Sequence, residues 1–443
     1  MSAEQNIADQ VLELVGSDAE AEVTVNAGTS ALTRFANSFI HQNVGEEGAT
    51  VSLRLMADGR IASGTTTNLD AESLDRFVAD TTEAARVQPV DPDWPGLVAP
   101  SEVPRLEHFD PATADASPEV RAAQVKAFVD AAPEMSAAGF CETAGVAVAF
   151  ANSAGHRATG RYSRAILDGI QQTPTSSGSG HAAGVGLGVI DAAATGTLAA
   201  QRARDGAATF DAKPGEYEVV LAPECAATIA VFLSVYGFNA KAALEGQSFA
   251  RVGEAQFDPS ITLVDDVTDP RALGVAFDSE GTPKQRLALI DGGVTDSLAH
   301  DRRTARKAGT VSTGHATAGS DVWGPVAHTL FLEEGTEAVE DMIAAVERGV
   351  YVATFNYCRV LDPKSLVVTG LTRNGTFMIE NGRITGAVSN LRFTQSFVAA
   401  FGPGNVAGIG NDARFGDSEF GPGMAHVPSL RLGAWNFTGG ADG

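Results

Sequence analysis

A proline-rich stretch divides this chain into folded units. Between Val87 and Glu119, prolines and aspartates recur every few residues. Proline fixes φ and lacks a backbone donor, so neither a helix nor a central strand can persist there. The stretch therefore predicts a linker or a segment that wraps over the surface. At 443 residues the chain is also too long for one ordinary hydrophobic core.

The part before this break has the pattern of an α/β unit. Residues 4–15 place apolar side chains three and four positions apart, which predicts an opening helix. Alternating apolar residues follow, with Asp58-Gly59 as a two-residue hairpin turn. Asp70 then caps a second predicted helix that ends at about Arg86. We expect a curled antiparallel sheet with helices packed on it.

The part after the break changes character near Lys213. A helix over about 119–132 and strand-like sequence lead to a Gly/Ser/Thr tract at 173–184. Its residues 176–181 are interpreted as a loop that contacts peptide or as a flexible connector, of which the connector is the commoner. Beyond Lys213, a long apolar helical segment at 225–246 is followed by short β runs separated by Gly, Asp and Pro.

The predicted fold class is α+β, with an α/β N-terminal region of curled sheets followed by a β-rich, sandwich- or barrel-like C-terminal domain. The predicted units are an N-terminal α/β domain, a Pro-rich linker, a central α/β domain and the β-rich domain, over residues 1–95, 96–118, 119–212 and 213–443.

Charge and composition exclude several classes of function. Asp and Glu number 55 against 31 Lys and Arg, a net charge of −24, which repels phosphate backbones and anionic lipid. The first 30 residues are acidic where a signal peptide would be basic, and no apolar run approaches the length of a membrane span. We therefore predict a cytoplasmic protein with no nucleic-acid or membrane partner. Its three scattered cysteines, Cys141, Cys225 and Cys358, are expected to be reduced thiols.

Two further patterns invite a site but favour a structural reading. Gly246-Gln247-Ser248 is a near miss to a nucleophile elbow, and the expected preceding helix argues against one. The carboxylates of Asp265, Asp266, Asp278 and Glu280 could hold a hard cation, although a solvated acidic face is the favoured interpretation for so acidic a chain.

A series of short motifs extends over nearly the whole chain. They are TRFANSFIHQ at 33–42, DGR at 58–60, NSAG at 152–155, EGQS with RVG across 245–253, LVDD at 263–266, DSEGTP at 278–283, DGG at 291–293, MIENGRI at 378–384 and GIGND at 408–412. In this order they resemble the TldD/PmbA family. The resemblance implies a cytoplasmic two-subunit assembly. Its TldD-like half is a zinc metallopeptidase that cuts unstructured peptides, and its PmbA-like half, also called TldE, encloses the chamber.

The zinc motif expected of the TldD half is degenerate here. That half carries His-Glu-x-x-x-His on the helix after the first strand of its third domain, and a later cysteine. At the matching place this chain reads Pro-Glu-Cys-Ala-Ala-Thr, so Glu224 remains while Pro223 and Thr228 replace both histidines. Zinc requires imidazole, thiolate or carboxylate ligands in a tetrahedral set. We therefore expect no catalytic residue and no metal in this chain, with zinc in the TldD-like partner.

The remaining candidates are substrate contacts. None of the eight histidines is followed by Glu or paired at helical metal-site spacing. Where the TldD half supplies its cysteine, this chain has Met424 and His426, and a lone ligand makes a poor site. Loops containing Ser248, Arg251 and His426 are predicted to line the substrate chamber.

Two functions follow from these patterns. The first is a non-catalytic, PmbA/TldE-like subunit of a heteromeric metallopeptidase that hydrolyses peptide or amide bonds of unstructured or peptide-like substrates, with proteolysis or peptide maturation as its role. The alternative is a stand-alone peptide-binding or scaffold protein without hydrolytic activity.

Overall fold

The first part of the chain forms one antiparallel sheet of six strands. The computed structural model describes residues 2–17 and 19–440. The strands, numbered along the chain, are β1 Glu20–Ala36, β2 Phe39–Ala57, β3 Arg60–Thr66, β4 Ser136–Asn152, β5 Arg157–Gln172 and β6 Ser177–Gly184. They lie in the order β3-β2-β1-β4-β5-β6, and the turn predicted at Asp58-Gly59 joins β2 to β3.

Helices cover this sheet at both of its ends. They are α1 Ala3–Val15, α2 Ala71–Arg86, α3 Pro111–Ala114, α4 Pro118–Asp130 and α5 Ala192–Asp205. The three helices predicted before residue 133 are confirmed as α1, α2 and α4. The Asp70 side chain caps α2 by accepting from the Ser73 backbone N–H at 2.9 Å. Helices α1 and α2 bury their apolar faces against β1 to β3, whereas α4 and α5 pack near β4 and β5.

Residues 177–184 of the Gly/Ser/Thr tract form a strand, and for them the prediction of a flexible connector was wrong; residues 173–176 are the turn that joins β5 to this strand. Residues 177–184 pair with β5 along their whole length. Helix α5 lies so close to this strand that a Cβ at Gly178 would be 2.2 Å from the Ala199 carbonyl oxygen. Small residues here serve close packing of a helix on a strand.

The predicted N-terminal and central units share this sheet. Strand β1 pairs with β4 from Glu22 opposite Asn152 to Phe35 opposite Gly139, so the sheet continues across the Pro-rich segment. The division of the chain into domains stays a prediction.

A closed five-stranded barrel dominates the last part of the chain. Its strands are β8 Gly215–Leu221, β13 Arg348–Asp362, β14 Val367–Glu380, β16 Leu391–Ser396 and β20 Leu430–Gly440, and pairing of β13 with β14 closes the ring. Strands β7 Thr209–Phe210, β15 Arg383–Val388 and β17 Val406–Ile409 extend it.

A second sheet lies beside the barrel. It has the order β11-β10-β9-β12-β19-β18. The strands are β9 Leu263–Asp265, β10 Leu287–Asp291, β11 Val294–Thr295, β12 Leu330–Leu332, β18 Arg414–Ser418 and β19 Gly421–Val427. Together with the barrel and the N-terminal sheet, it confirms the predicted α+β class with a β-rich, barrel-containing C-terminal region.

The apolar segment at 225–246 is broken rather than one long helix. Helix α6 Pro223–Phe232 continues as a π-helical turn over Leu233–Gly237, and α7 Ala240–Leu244 follows after a bend at which Asn239 caps the new helix. Every residue of α6 is buried, in a core shared with the barrel and the second sheet. The other helices here are α8 Arg302–Ala308, α9 Ser320–Trp323, α10 Val339–Ala344 and α11 Phe397–Ala400.

The Pro-rich segment wraps from the N-terminal sheet onto the C-terminal region. This is one of the two predictions made for it, a linker or a segment that wraps over the surface. Arg302 donates to the carbonyl oxygens of Pro95 and Leu97, and Arg303 binds Asp91 at 2.6 and 3.2 Å. Within residues 2–17 and 19–440, no helix combines the length and apolar character needed to span a membrane.

Candidate functional site

The degenerate motif lies at the start of α6, with its acidic residue in an ion pair. Both Glu224 carboxylate oxygens accept from Arg414 Nη2, at 3.1 and 3.2 Å. Burial would raise the pKa of Glu224, but the charges of Arg414 and of Arg202 on α5 hold that pKa at about 2. Two guanidinium groups therefore provide positive charge beside a carboxylate that the resemblance aligns with the zinc motif.

At the two positions where the TldD half has histidine, this chain has residues with structural roles. Pro223 is the first residue of α6 and is buried. Thr228 Oγ1 donates to the Glu224 carbonyl oxygen at 3.2 Å and accepts from the Glu419 backbone N–H at 3.3 Å. Strand β18 lies directly on this helix turn, since a Cβ at Gly416 would be 2.7 Å from both the Ala227 Cβ and the Pro223 carbonyl oxygen. A catalytic zinc keeps an open coordination position, and this place is closed.

The residues at this position do not fit zinc. The neighbouring Cys225 Sγ donates to the Val352 carbonyl oxygen at 3.5 Å in the core, and burial raises its pKa well above the ordinary value, which disfavours the thiolate that binds metal. Over the part of the chain that the structure describes, no three His, Cys, Asp or Glu side chains are arranged to hold a metal ion.

Sequence reasoning missed a histidine beside the degenerate motif. His181, on β6, is buried and has Nδ1 3.3 Å from Asp168 Oδ2. Burial raises the pKa of the nearby Asp417 to about 6, against the lowering effect of His181. The alternation of small residues at 177–184 was the signal that could have placed His181 on a strand.

The three predicted chamber residues lie in different surroundings. Ser248 Oγ donates to the Gly237 carbonyl oxygen at 2.6 Å, and Arg251 is exposed and pairs with Glu254. His426 is buried on β19 between Phe331 and Phe415, where burial and Arg271 lower its pKa to about 4. The structure does not bring these three together, and their contact with substrate stays a prediction.

Charged side chains are concentrated where the N-terminal sheet meets the C-terminal region. Arg54 on β2 lies 3.1 Å from Glu280, 3.6 Å from Glu22 and 3.7 Å from Asp321. Burial raises the pKa of Glu22 to about 8, although Arg54 lowers it. Burial and Glu280 raise the pKa of Asp278 to about 7.

The interpretation of the acidic cluster as a solvated face was therefore wrong for three of its four members. Asp265, Asp278 and Glu280 are 0%, 7% and 4% exposed. Asp265 lies 3.3 Å from Lys284 Nζ and 3.1 Å from His315 Nε2. Burial would raise its pKa, but Lys284 and His315 hold it below the usual range.

Two cavities adjoin these charges. One of about 330 Å³ is lined by Glu22, Arg54, Glu280 and Asp321. The other, of about 410 Å³, is lined by Asp278, Lys284 and Arg164 among others. They share Thr24, Asn26, Ser279 and Thr317 as lining residues, so they form neighbouring parts of one cleft between the two halves of the molecule. Such clefts are common places for ligands.

Comparison with known proteins identifies the family. Residues 214–439 match the model of the PmbA/TldA metallopeptidase C-terminal domain. The chain belongs to the PmbA/TldD family, and the resemblance found in its motifs is confirmed.

Curated relatives carry metalloprotease names. A metalloprotease of Methanothermobacter thermautotrophicus is 25% identical over 218 residues, which are 48% of this chain and 47% of that protein. A metalloprotease TldD homologue of Haemophilus influenzae is 29% identical over 141 residues, which are 31% of this chain and 29% of that protein. The chain thus spans about half of the first relative and less than a third of the second.

A solved structure shares the whole fold. TldE from Thermococcus kodakarensis superposes with a TM-score of 0.87 over 99% of this chain and 100% of that one, at 18% identity. At this identity the match establishes the architecture alone.

Proposed function

We propose that this chain is a non-catalytic, TldE-like subunit of a heteromeric metallopeptidase that cuts peptide or amide bonds of unstructured or peptide-like substrates. The observation that carries the proposal is the closed position on α6. Glu224 is neutralised by Arg414 and Arg202, and Thr228 is engaged by the backbone of Glu419. If this family member does not hold the catalytic metal, a metallopeptidase that contains it must take the metal from another subunit.

The partner in this proposal is a TldD-like subunit that carries the zinc. This chain contributes the cleft between its two halves. It contacts neither nucleic acid nor membrane, and the assembly acts on peptides in the cytoplasm. The net negative charge of the chain and the family membership support these assignments.

Co-expression tests the proposal. The chain is purified alone and together with a TldD-like subunit that has His-Glu-x-x-x-His, and hydrolysis of an unstructured peptide is followed with the mass of each species in solution. We expect a mixed complex, hydrolysis only when both chains are present, and loss of hydrolysis when the partner's histidines are replaced by alanine.

Two outcomes contradict it. Peptide hydrolysis by this chain alone, persisting in a chelator, would show a catalytic site that the proposal denies. A stable homo-oligomer with no affinity for the TldD-like subunit would favour the stand-alone peptide-binding or scaffold protein instead.

A further inference from the structure

The smaller cavity is lined by more negative than positive side chains. Around its 330 Å³ are the carboxylates of Glu22, Glu280 and Asp321, with Arg54 as the basic residue. Acceptor oxygens are plentiful, since hydroxyl side chains make up much of the remaining wall: Thr24, Ser52, Ser63, Thr65, Ser279 and Thr317.

Glu22 is the unusual member of this wall. Its side chain is 4% exposed, yet none of the hydrogen bonds among the described residues involves its carboxylate. Its nearest charged group, Arg54 Nη1, is 3.6 Å away, which is too far for a hydrogen bond. Glu22 lines the cavity, so its carboxyl group is free of protein donors and can accept from a donor that enters there.

The surrounding cations are already engaged. Arg54 is closest to Glu280, at 3.1 Å, and lies over the ring of Trp94. The guanidinium of Arg302 donates to carbonyl oxygens of the Pro-rich segment, and Arg303 is bound to Asp91. These contacts leave Glu22, together with the more exposed Asp321, as the acidic side chains that an incoming cation would meet.

We propose that this cavity binds a primary ammonium group carried by a peptide, either its N-terminal amine or a lysine side chain. An ammonium is a compact charge with three donors, which suits one carboxylate and two hydroxyl or carboxylate oxygens. The peptide as the carrier of the amine rests on the proposed function, whereas the ammonium site rests on this chain's own residues, so binding does not require a partner subunit.

The titration of Glu22 adds a signature to such binding. Burial keeps a proton on Glu22 near neutral pH, and Arg54, Glu280, Asp278 and Arg302 also act on it. An ammonium favours the ionised carboxylate and so displaces that proton. Affinity for an amine that stays charged should therefore rise as the pH is raised from 6 to 8.

Calorimetric titration of the full-length chain tests the site. The probes are triglycine amide and Nα-acetyl-lysine amide, each compared with the same compound acetylated on its free amine. We expect at least one amine to bind with an affinity at least about tenfold higher than that of its acetylated form. This is the size of effect expected from charge-assisted hydrogen bonds to one ammonium group. The probe that binds more tightly distinguishes an N-terminal from a lysine source.

Three variants refine the test. Glu22→Gln should weaken amine binding about tenfold and leave the acetylated probes unaffected. Glu46→Gln, the same change at an exposed position of β2, should change neither. Asp321→Asn, at a side chain that is 57% exposed, should weaken binding about threefold and serves if Glu22→Gln does not fold.

The proposal is overturned if both amines bind no better than their acetylated forms. It is equally overturned if Glu22→Gln and Glu46→Gln bind the amines alike, because the attraction would then come from the overall charge of the chain. A co-expressed partner is absent from this experiment, so its failure is distinct from failure of the proposed function.

Discussion

The ion pair of Glu224 and Arg414 occupies the position that the resemblance aligns with the zinc motif. A catalytic Glu beside zinc works next to a dication, and here Arg414 and Arg202 lie beside the retained carboxylate. The carboxylate is 3% exposed, so removing Arg414 would leave a buried charge without its hydrogen-bonded partner and with only the more distant charge of Arg202 to compensate it.

Arg414→Met should therefore lower the free energy of unfolding by about 3 kcal/mol at pH 7. The folded-state pKa of Glu224, about 2, lies below its ordinary 4.5, so its stabilising contribution is present above pH 4.5 and is lost as the pH falls through 2. Urea unfolding should show a smaller difference between variant and wild type at pH 4 than at pH 7. Arg76→Met, in an exposed pair with Glu72, is the control and should cost less than about 0.5 kcal/mol.

The ionisation of Glu22 changes stability with pH in the opposite direction to that of Glu224. Its folded-state pKa, about 8, lies above the ordinary 4.5, so its contribution to stability is full below pH 4.5 and is lost as the pH rises through 8. Glu22→Gln cannot ionise, and we expect it to be more stable than wild type by about 2 kcal/mol at pH 8, with the gain fading towards pH 4.5. Urea unfolding at pH 5 and pH 8 measures this. A variant less stable than wild type at pH 8 would show that the carboxylate is stabilised in its ionised form.

Among the elements, strand β18 covers the start of α6, where the degenerate motif lies. Its glycine allows the strand to lie on the helix turn that contains Pro223 and Ala227. Every residue of the helix is buried, and its apolar residues share a core with the barrel and the second sheet. A shift of β18 would therefore meet packed side chains rather than empty space.

Gly416→Val should destabilise the protein by about 2 kcal/mol, because the new side chain must displace either the strand or the helix. Gly48→Val on β2, where a Cβ meets nothing within 4 Å, is the matched control and should change stability by less than about 0.5 kcal/mol. Thermal unfolding of both variants gives the comparison. Equal melting temperatures would mean that β18 is not held against α6 in solution.

In the whole molecule, the Pro-rich segment fastens the N-terminal sheet to the C-terminal region. Arg302 and Arg303 at the start of α8 hold it through Pro95, Leu97 and Asp91. On the other side, His156 Nε2 lies 2.9 Å from the Gly281 carbonyl oxygen, next to the loop that contributes Glu280. The cleft between the halves therefore depends on these contacts.

Replacing both arginines, Arg302→Met with Arg303→Met, should release this segment while each half keeps its core. We expect proteolytic cleavage within residues 87–110 to accelerate about tenfold or more, since local opening exposes the backbone to protease. Limited proteolysis followed by mass spectrometry locates and times the cuts. Unchanged cleavage, matching the Arg76→Met control, would mean that other contacts hold the segment.

Local sequence was enough to predict the features whose causes are local. Asp70 caps a helix because its own side chain reaches the next turn, and the turn at Asp58-Gly59 needs only the conformations of its two residues. The loss of both histidines is readable in the same way, because zinc binding depends on residue type. The 173–184 tract was misread since glycine-rich composition is shared by linkers and by strands under a close helix.

What the sequence by itself determined was the family, the α+β class and the absence of imidazole at the positions of Pro223 and Thr228. Only the tertiary structure decided that Arg414 lies on Glu224, 190 positions away, and that Arg54 reaches Glu280, 226 positions away. The physical reason is that burial and charge pairing depend on which surfaces the fold brings together. The residue type alone does not show whether water or a guanidinium will surround a carboxylate.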